Sequence, residues 1–328
     1  MRSATNIDPA YAVPEVRRPL APPVILARGL HKRYGDVRAV DGLDFEIEPG
    51  ESVGFLGPNG AGKSTTMRMI GCTTAPSSGD LRVFGLPAAK EARSIRARLG
   101  VIPQDDTLDM ELTVAENLYV YGCYFGLRRT VIRDRSARLL EAFQLSEKAS
   151  SLVTTLSGGM RRRLTIARSL ISEPELLLLD EPTNGLDPQA RHALWDQLRL
   201  LQQQGKTLLL TTHFMDEAER LCDRLLVIDG GRIVAQGSPR ALIAAHCGRE
   251  VLELHFDRDT PAAQYLTAVE AIANRVDVLT DRLLAHVDNG DAALAVLSGN
   301  RIPFETALVR RASLEDVFLR LTGRALVD

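Results

Sequence analysis

The stretch LGPNGAGKSTTMRMIGC, residues 56–72, constrains the fold of this chain more than any other. A short apolar run enters it and a helical pattern leaves it. Between them Gly57, Pro58, Asn59, Gly60, Ala61 and Gly62 lead to Lys63, Ser64 and Thr65, a complete match to G-x-x-x-x-G-K-[ST]. The glycines leave backbone N–H groups unobstructed, and the following helix N-terminus adds roughly half a positive charge. Strand, loop and helix together are suited to surround phosphate oxygens. Lys63 is expected to reach the β- and γ-phosphates, and the Ser64 hydroxyl to take a Mg²⁺ position. A glycine-rich turn without a ligand is the alternative, but the full pattern arises by chance only about once in a hundred such sequences.

The rest of the chain supplies a sheet for that loop. The runs PELLLLDEP and KTLLLTTH are continuous apolar strands of the kind buried on both faces of a parallel sheet. Helical patterns alternate with them, among them PQARHALWDQLRLLQQQG with Leu194, Leu198 and Leu201 on one side. SPRALIAAHCG carries Ser238 as cap and Pro239 at the first helical position. The alternation predicts a doubly wound α/β core. Thr113 with Glu116 three places on signals a capping box, from which one long helical stretch is expected to about residue 150. Residues 249–328 shift to short strands and helices and read as a separate small α+β appendage without a chemical motif. Residues 1–24 read as a disordered leader.

Bulk properties exclude several classes. The formal net charge of −2 favours neither nucleic acid nor anionic lipid. No apolar run approaches the roughly 18 residues needed to span a bilayer, and the start lacks a secretory pattern. Cys72, Cys123, Cys222 and Cys247 are scattered, as expected of reduced thiols in a cytosolic protein.

LLLLDEP ends its strand with Asp180 and Glu181. Four leucines leading into two carboxylates bury charge unless a cation or polar ligand receives it. With the phosphate loop expected on a neighbouring strand, Asp180 is placed to support Mg²⁺, and Glu181 to polarise the attacking water as general base. His213 follows TLLLTT at the carboxyl edge of the sheet, where it can donate to the γ-phosphate; Gln104, after LGVIP, has the same placement. Acids ending a strand in solvent, or a capping His, are the plainer readings.

A second glycine pair needs its own reason. In LSGGMRRRLTIARSL, residues 156–170, Gly158 and Gly159 open a helix that Ser157 can cap. Met160, Leu164, Ala167 and Ile171 form the expected buried stripe, with Arg161, Arg162 and Arg163 mostly off it. The exposed amide end is a second phosphate-binding terminus. Because the phosphate loop already has its own cradle, this end is expected to close on nucleotide held by another copy.

LSGGM resembles the signature of ABC-transporter ATPases, and the order of the pieces matches that family from residue 25 to about 238. The resemblance implies a P-loop NTPase (RecA-like) core with an antiparallel β section over 25–248, a helical subdomain inserted at about 105–165, and the small C-terminal α+β domain. It makes Tyr34 the aromatic that stacks on adenine. Gln104 becomes the Q-loop residue between Mg²⁺ and the membrane partner, Asp187 the D-loop acid, and His213 the switch histidine. Asp187 also caps the helix opening at Pro188. Two ATP molecules are then sandwiched between two copies, each completed by the partner's Ser157, Gly158 and Gly159. The implied partner is an integral membrane permease, with the chain peripheral on the cytoplasmic face and no role for nucleic acid. The aromatics Tyr119, Tyr121, Tyr124 and Phe125 suggest a groove for a permease helix, or else aromatic core packing. More narrowly, VIPQDDTLDMELTVAENLYVYGCYFGL and RRASLEDVFLRLTGR are similar to exporters of nodulation lipo-oligosaccharides and to daunorubicin-resistance ATPases. Two other readings stand against this: a kinase or GTPase, which leaves LSGG no task and lacks N-K-x-D, and a soluble ABC-type ATPase with a non-transport partner.

Overall fold

The computed structural model describes residues 22–105, 107–256, 262–279, 281–300 and 302–322. Most of the expected leader, residues 1–21, lies outside the described residues. In chain order β1 (Ile25–Tyr34) and β2 (Val37–Ile47) form a hairpin, and β3 (Ser52–Leu56) follows the turn at Pro49 and Gly50. Next come α1 (Lys63–Ile70), β4 (Ser78–Val83), β5 (Leu86–Pro87), α2 (Ala92–Arg96) and β6 (Leu99–Ile102). The helical section holds α3 (Val114–Tyr124), α4 (Arg129–Ala142) and α5 (Gly158–Leu170). The capping box forms at α3: Thr113 Oγ1 accepts from Glu116 N at 3.3 Å, and Glu116 Oε2 accepts from Thr113 N at 2.8 Å. A single helix to about 150 does not form, because α3 stops at Tyr124 and Gly126 turns the chain at φ +68.

The chain continues through β7 (Leu176–Asp180), α6 (Pro188–Gln203), β8 (Thr207–Thr212), α7 (Met215–Leu221), β9 (Arg224–Asp229), β10 (Arg232–Gly237) and α8 (Pro239–His246). These elements build a six-stranded sheet in the order β10-β9-β3-β8-β7-β6, parallel from β9 to β6 with β10 antiparallel at one edge. Strand alternation sends Leu177, Leu179, Leu208 and Leu210 to one face, against Leu164 and Trp195. Leu176, Leu178, Leu209 and Phe55 face the other way, against Met69 and Ile70. Each fully buried leucine contributes about 1.5–3 kcal/mol, so this double-faced burial fixes the sheet. The expectation that the phosphate loop and LLLLD lie on neighbouring strands is corrected: β8 stands between β3 and β7. Equally apolar runs carry no record of their order in a sheet. A separate antiparallel sheet, β2-β1-β4-β5, packs on the second face.

The last segment adds β11 (Glu250–His255), α9 (Leu266–Glu270), β12 (Arg275–Val278), β13 (Arg282–Val287), α10 (Gly290–Gly299), β14 (Thr306–Arg311) and α11 (Leu314–Thr322). Its antiparallel sheet, β12-β13-β11-β14, has its own core around Leu252, Leu254, Leu283 and Leu297. The final helix does not stay with that sheet. Leu314, Val317 and Phe318, on one helical face, are buried with Leu221, Leu242 and Cys247 of α7 and α8 and the residue after it. Leu314 N also donates to Glu219 Oε1 of α7 at 3.2 Å. Of this segment α11 is thus packed on α7 and α8, while the sheet keeps a core of its own. No helix among the described residues is long and apolar enough to cross a membrane.

Candidate active site

The loop between β3 and α1 is shaped by two close approaches. A Cβ on Gly57 would sit 2.1 Å from the Ile228 carbonyl, and one on Gly62 2.3 Å from that of Ala39. Gly62 also has φ +103, outside the range of ordinary side chains, and immediately precedes α1. Lys63 is buried at the first turn, its Nζ donating to the carbonyls of Gly57 at 2.6 Å and Pro58 at 3.1 Å. Burial pulls its pKa below the usual lysine value, against the upward pull of Glu181 and Asp180.

The carboxylates converge on this helix. Ser64 Oγ donates to Asp180 Oδ1 at 3.0 Å, and Thr211 Oγ1 donates to the same oxygen at 2.5 Å. Thr211 belongs to the intervening β8 and bridges the gap that the strand order leaves. Glu181 follows at φ +45, a left-handed angle rare outside glycine and stored at functional positions. Its backbone N donates to Thr211 O and Oγ1, at 3.1 and 3.0 Å. Its carboxylate accepts at Oε2 from Gln104 Nε2 at 3.2 Å and Asn184 Nδ2 at 3.1 Å. His213 Nδ1 lies 3.4 Å from Glu181 Oε1, longer than a good hydrogen bond, and that buried nitrogen has no hydrogen-bond partner.

A cleft of about 840 Å³ opens among these groups. Asn59 to Thr65 form one wall, Gln104, Glu181, Asn184 and His213 the other, and Tyr34 and Phe214 stand at its edges. The structure therefore gathers Tyr34, the loop, Gln104, Glu181 and His213 in one place, with Asp180 behind Ser64. It does not bring Ser157, Gly158, Gly159 or Asp187 into this cleft. Those lie where two helices start side by side. Ser157 Oγ caps α5 by accepting from Met160 N at 3.3 Å, and Asp187 Oδ1 caps α6 by accepting from Ala190 N at 2.9 Å. A Cβ on Gly159 would lie 3.1 Å from that of Ala190.

Leu164, Ala167 and Ile171 are buried as the stripe requires and Met160 is partly so, but Arg162 is not off the stripe. It is 4% exposed, because α5 is also covered along Thr165, Ile166 and Ser169 on the side of Arg162. That second buried face was visible as the run LTIARSL, apolar or small nearly all round. Asn184 and Thr211 had no such signal; each matters only through the fold. In the helical section Tyr121 packs on Phe125 and under the Arg168 guanidinium, whereas Tyr124 is exposed. Tyr119 borders a second cleft, between α3 and α4, with Ala115, Ile132, Ala137 and Leu140.

Known proteins share both halves of this chain. The model of the family described as ABC transporter matches residues 40–184, and that of the Nodulation factor export protein NodI, C-terminal domain, matches residues 262–323. A Nod factor export ATP-binding protein I from Ralstonia nicotianae is 50% identical over 310 residues, 93% of this chain and 96% of that protein. The chain belongs to the ABC-transporter ATP-binding family. A further relative of the same description, from Cupriavidus pinatubonensis, is 46% identical with both chains fully covered. Among solved structures, an ATP-binding subunit of an ABC transporter superposes with TM-score 0.62 and 32% identity over 68% of this chain and 92% of that one. An ATP-binding cassette described as a dimer in a post-hydrolysis state, bound to ADP and Pi, gives TM-score 0.60 and 26% identity over 65% and 98%. The α/β P-loop fold is theirs, and as a member of the family this chain is an ATP-binding, ATP-hydrolysing subunit.

Proposed function

We propose that this chain drives export of a lipo-oligosaccharide of the Nod-factor kind, working as a pair of copies beneath a separate membrane permease. ATP is held with its phosphates in the loop from Gly57 to Thr65 and its adenine on Tyr34. Glu181 takes the proton of the attacking water, with His213 at the γ-phosphate. The two relatives named above, both Nod factor export ATP-binding proteins, support the cargo class.

Mg²⁺ fits the donors present. Ser64 and Asp180 offer hard oxygen ligands, and Gln104 lines the same cleft as Ser64, the chemistry that Mg²⁺ prefers with phosphate oxygens completing its shell. Among the described residues no group of three or more His, Cys, Asp and Glu forms a metal site by itself. When bound, the ion would neutralise phosphate charge; Ser64, Asp180 and Gln104 would hold it.

One observation carries the paired arrangement. A Cβ on Gly158 would meet nothing within 4 Å, and its φ is not left-handed. Nothing among the described residues calls for glycine there, although glycine is a weaker helix former than alanine. The requirement is met if a second copy brings phosphate against that bare amide end. Asp187, at the neighbouring helix start, would face the same joint. The α3–α4 cleft, apolar at Tyr119, Ile132 and Leu140 and edged by Glu116, Arg129 and Arg133, suits a permease segment. On this reading residues 25–248 are the nucleotide-binding unit, with residues 105–165 as its helical subdomain, and the protein sits on the cytoplasmic face of the membrane.

Detergent extraction of native membranes tests it. The tagged chain should co-purify with an integral membrane protein, and vesicles holding the pair should move lipo-oligosaccharide only with ATP. Recovery with ribosomes or DNA and no membrane protein contradicts the reading.

A further inference from the structure

Arg162 joins three segments that the hydrolysis site depends on. It lies in the second turn of α5, the helix that Ser157, Gly158 and Gly159 begin. Its Nε donates to the Pro182 carbonyl at 2.7 Å, and Nη1 to those of Pro103 at 2.6 Å and Gln104 at 3.4 Å. Nη2 donates to the carbonyls of Asp180 and Glu181, both at 3.3 Å. A single planar fork thus closes the ends of β6 and β7, where both strands run out of ladder partners. No other cation type has five N–H donors in one plane; a lysine ammonium is a point with three.

The carbonyls of Asp180 and Glu181 bracket the Glu181 backbone. That residue holds φ +45, an angle that persists only when its surroundings impose it. The direction of its carboxylate, and hence its approach to Gln104, Asn184 and His213, follows from that angle. The Gln104 carbonyl is bound by the same guanidinium, so a shift of the loop after β6 reaches both Glu181 and the start of α5.

We propose that Arg162 is a positioning residue for ATP hydrolysis: it fixes the backbone at Glu181 and ties the Gln104 loop and the Ser157–Gly159 helix to it as one body. This rests on the assignment of Glu181 as general base. Arg162 itself does not line the cleft. Arg163, the next residue, is the natural control, because its Nη1 donates to the Phe143 carbonyl and to Gln144 Oε1, both at 3.1 Å, and reaches neither strand end.

Steady-state ATP hydrolysis by full-length Arg162→Gln, Arg162→Lys, Arg163→Gln and Glu181→Gln, with Tm for each, separates the possibilities. Arg162→Gln should lose about 10- to 100-fold in kcat, the scale of a small misplacement of a catalytic group. KM for ATP should stay within about two-fold. Arg162→Lys keeps the buried charge, so it answers the question if the Gln variant does not fold; it should show the same split. Arg163→Gln should keep its kcat. Normal kcat in the Arg162 variants, or an equal kcat loss in Arg163→Gln at equal loss of Tm, overturns the proposal. An inactive Glu181→Gln beside active Arg162 variants overturns the positioning role alone. Hydrolysis by Glu181→Gln at the normal rate overturns the base assignment.

Discussion

The Ser64 hydroxyl donates to Asp180 Oδ1 across 3.0 Å, although the strands that carry these residues are separated by β8. Thr211 of that strand donates to the same oxygen. Asp180 is therefore held by two hydroxyls while facing the first turn of α1. Asp180→Asn keeps an oxygen there and removes the charge. Affinity for ATP in the presence of Mg²⁺ should fall by about ten-fold or more, near 1.4 kcal/mol. Affinity in the presence of a chelator should change little. Fluorescence titration with an ATP analogue in both conditions reads the difference; an equal loss in both contradicts the role.

Lys63 bridges the loop carbonyls from within a buried position. Replacing it with Ala removes the buried cation of the loop and should abolish tight ATP binding. Calorimetric titration checks this, and an unchanged affinity contradicts the phosphate assignment.

The start of α5 separates folding from function. Gly158→Asp places an acid at a helix N-terminus, a favourable position for negative charge by about 0.3–1 kcal/mol, in open space. Tm without nucleotide should hold or rise, while ATP hydrolysis is lost to repulsion of the partner's phosphates. A variant that hydrolyses normally removes the reason for glycine at that position. A lowered Tm contradicts the claim that nothing among the described residues needs it.

Glu217 of α7 does not line the nucleotide cleft, and it is fully buried beside Trp195 of α6. Burial raises its carboxyl above the ordinary value of 4.5, against the hydrogen bond from Trp195 Nε1 at 3.3 Å and the nearby Arg191, which lower it. The folded state therefore keeps a proton that the unfolded chain releases from about pH 4.5 upward, and in that window this group makes stability fall as pH rises. Glu217→Gln removes the titration. The Tm of the variant minus that of the wild type should widen as pH rises above 4.5 and stay level below it. A difference that is the same at every pH contradicts the burial argument.

What could be read from the residues was local. The phosphate loop needs only its own glycines and the helix after it, and the caps at Thr113, Ser157, Asp187 and Ser238 act within three residues. Strand order was hidden because SVGFL, LLLLD and TLLLTT are interchangeable as buried strands. With it were hidden Thr211, which matters by lying between the other two, and Asn184, which reaches Glu181 through a tight turn. Arg162 was misread for a related cause. A three-arginine run looks solvated when only one stripe of its helix is taken as buried, whereas α5 is packed on a second face as well. The helix SLEDVFLRLTG was legible, but not its docking on α7 and α8, which joins residues far apart in sequence.

The central claim is that ATP held by one copy is completed by the Ser157–Gly159 end of another. Light scattering on Glu181→Gln with ATP, beside the double variant Glu181→Gln, Gly158→Asp, measures it directly. The first protein should run at twice the monomer mass with ATP and at the monomer mass without it, and the second should stay monomeric in both. A Glu181→Gln protein that binds ATP and remains monomeric, with its membrane partner present as well as without it, contradicts the account.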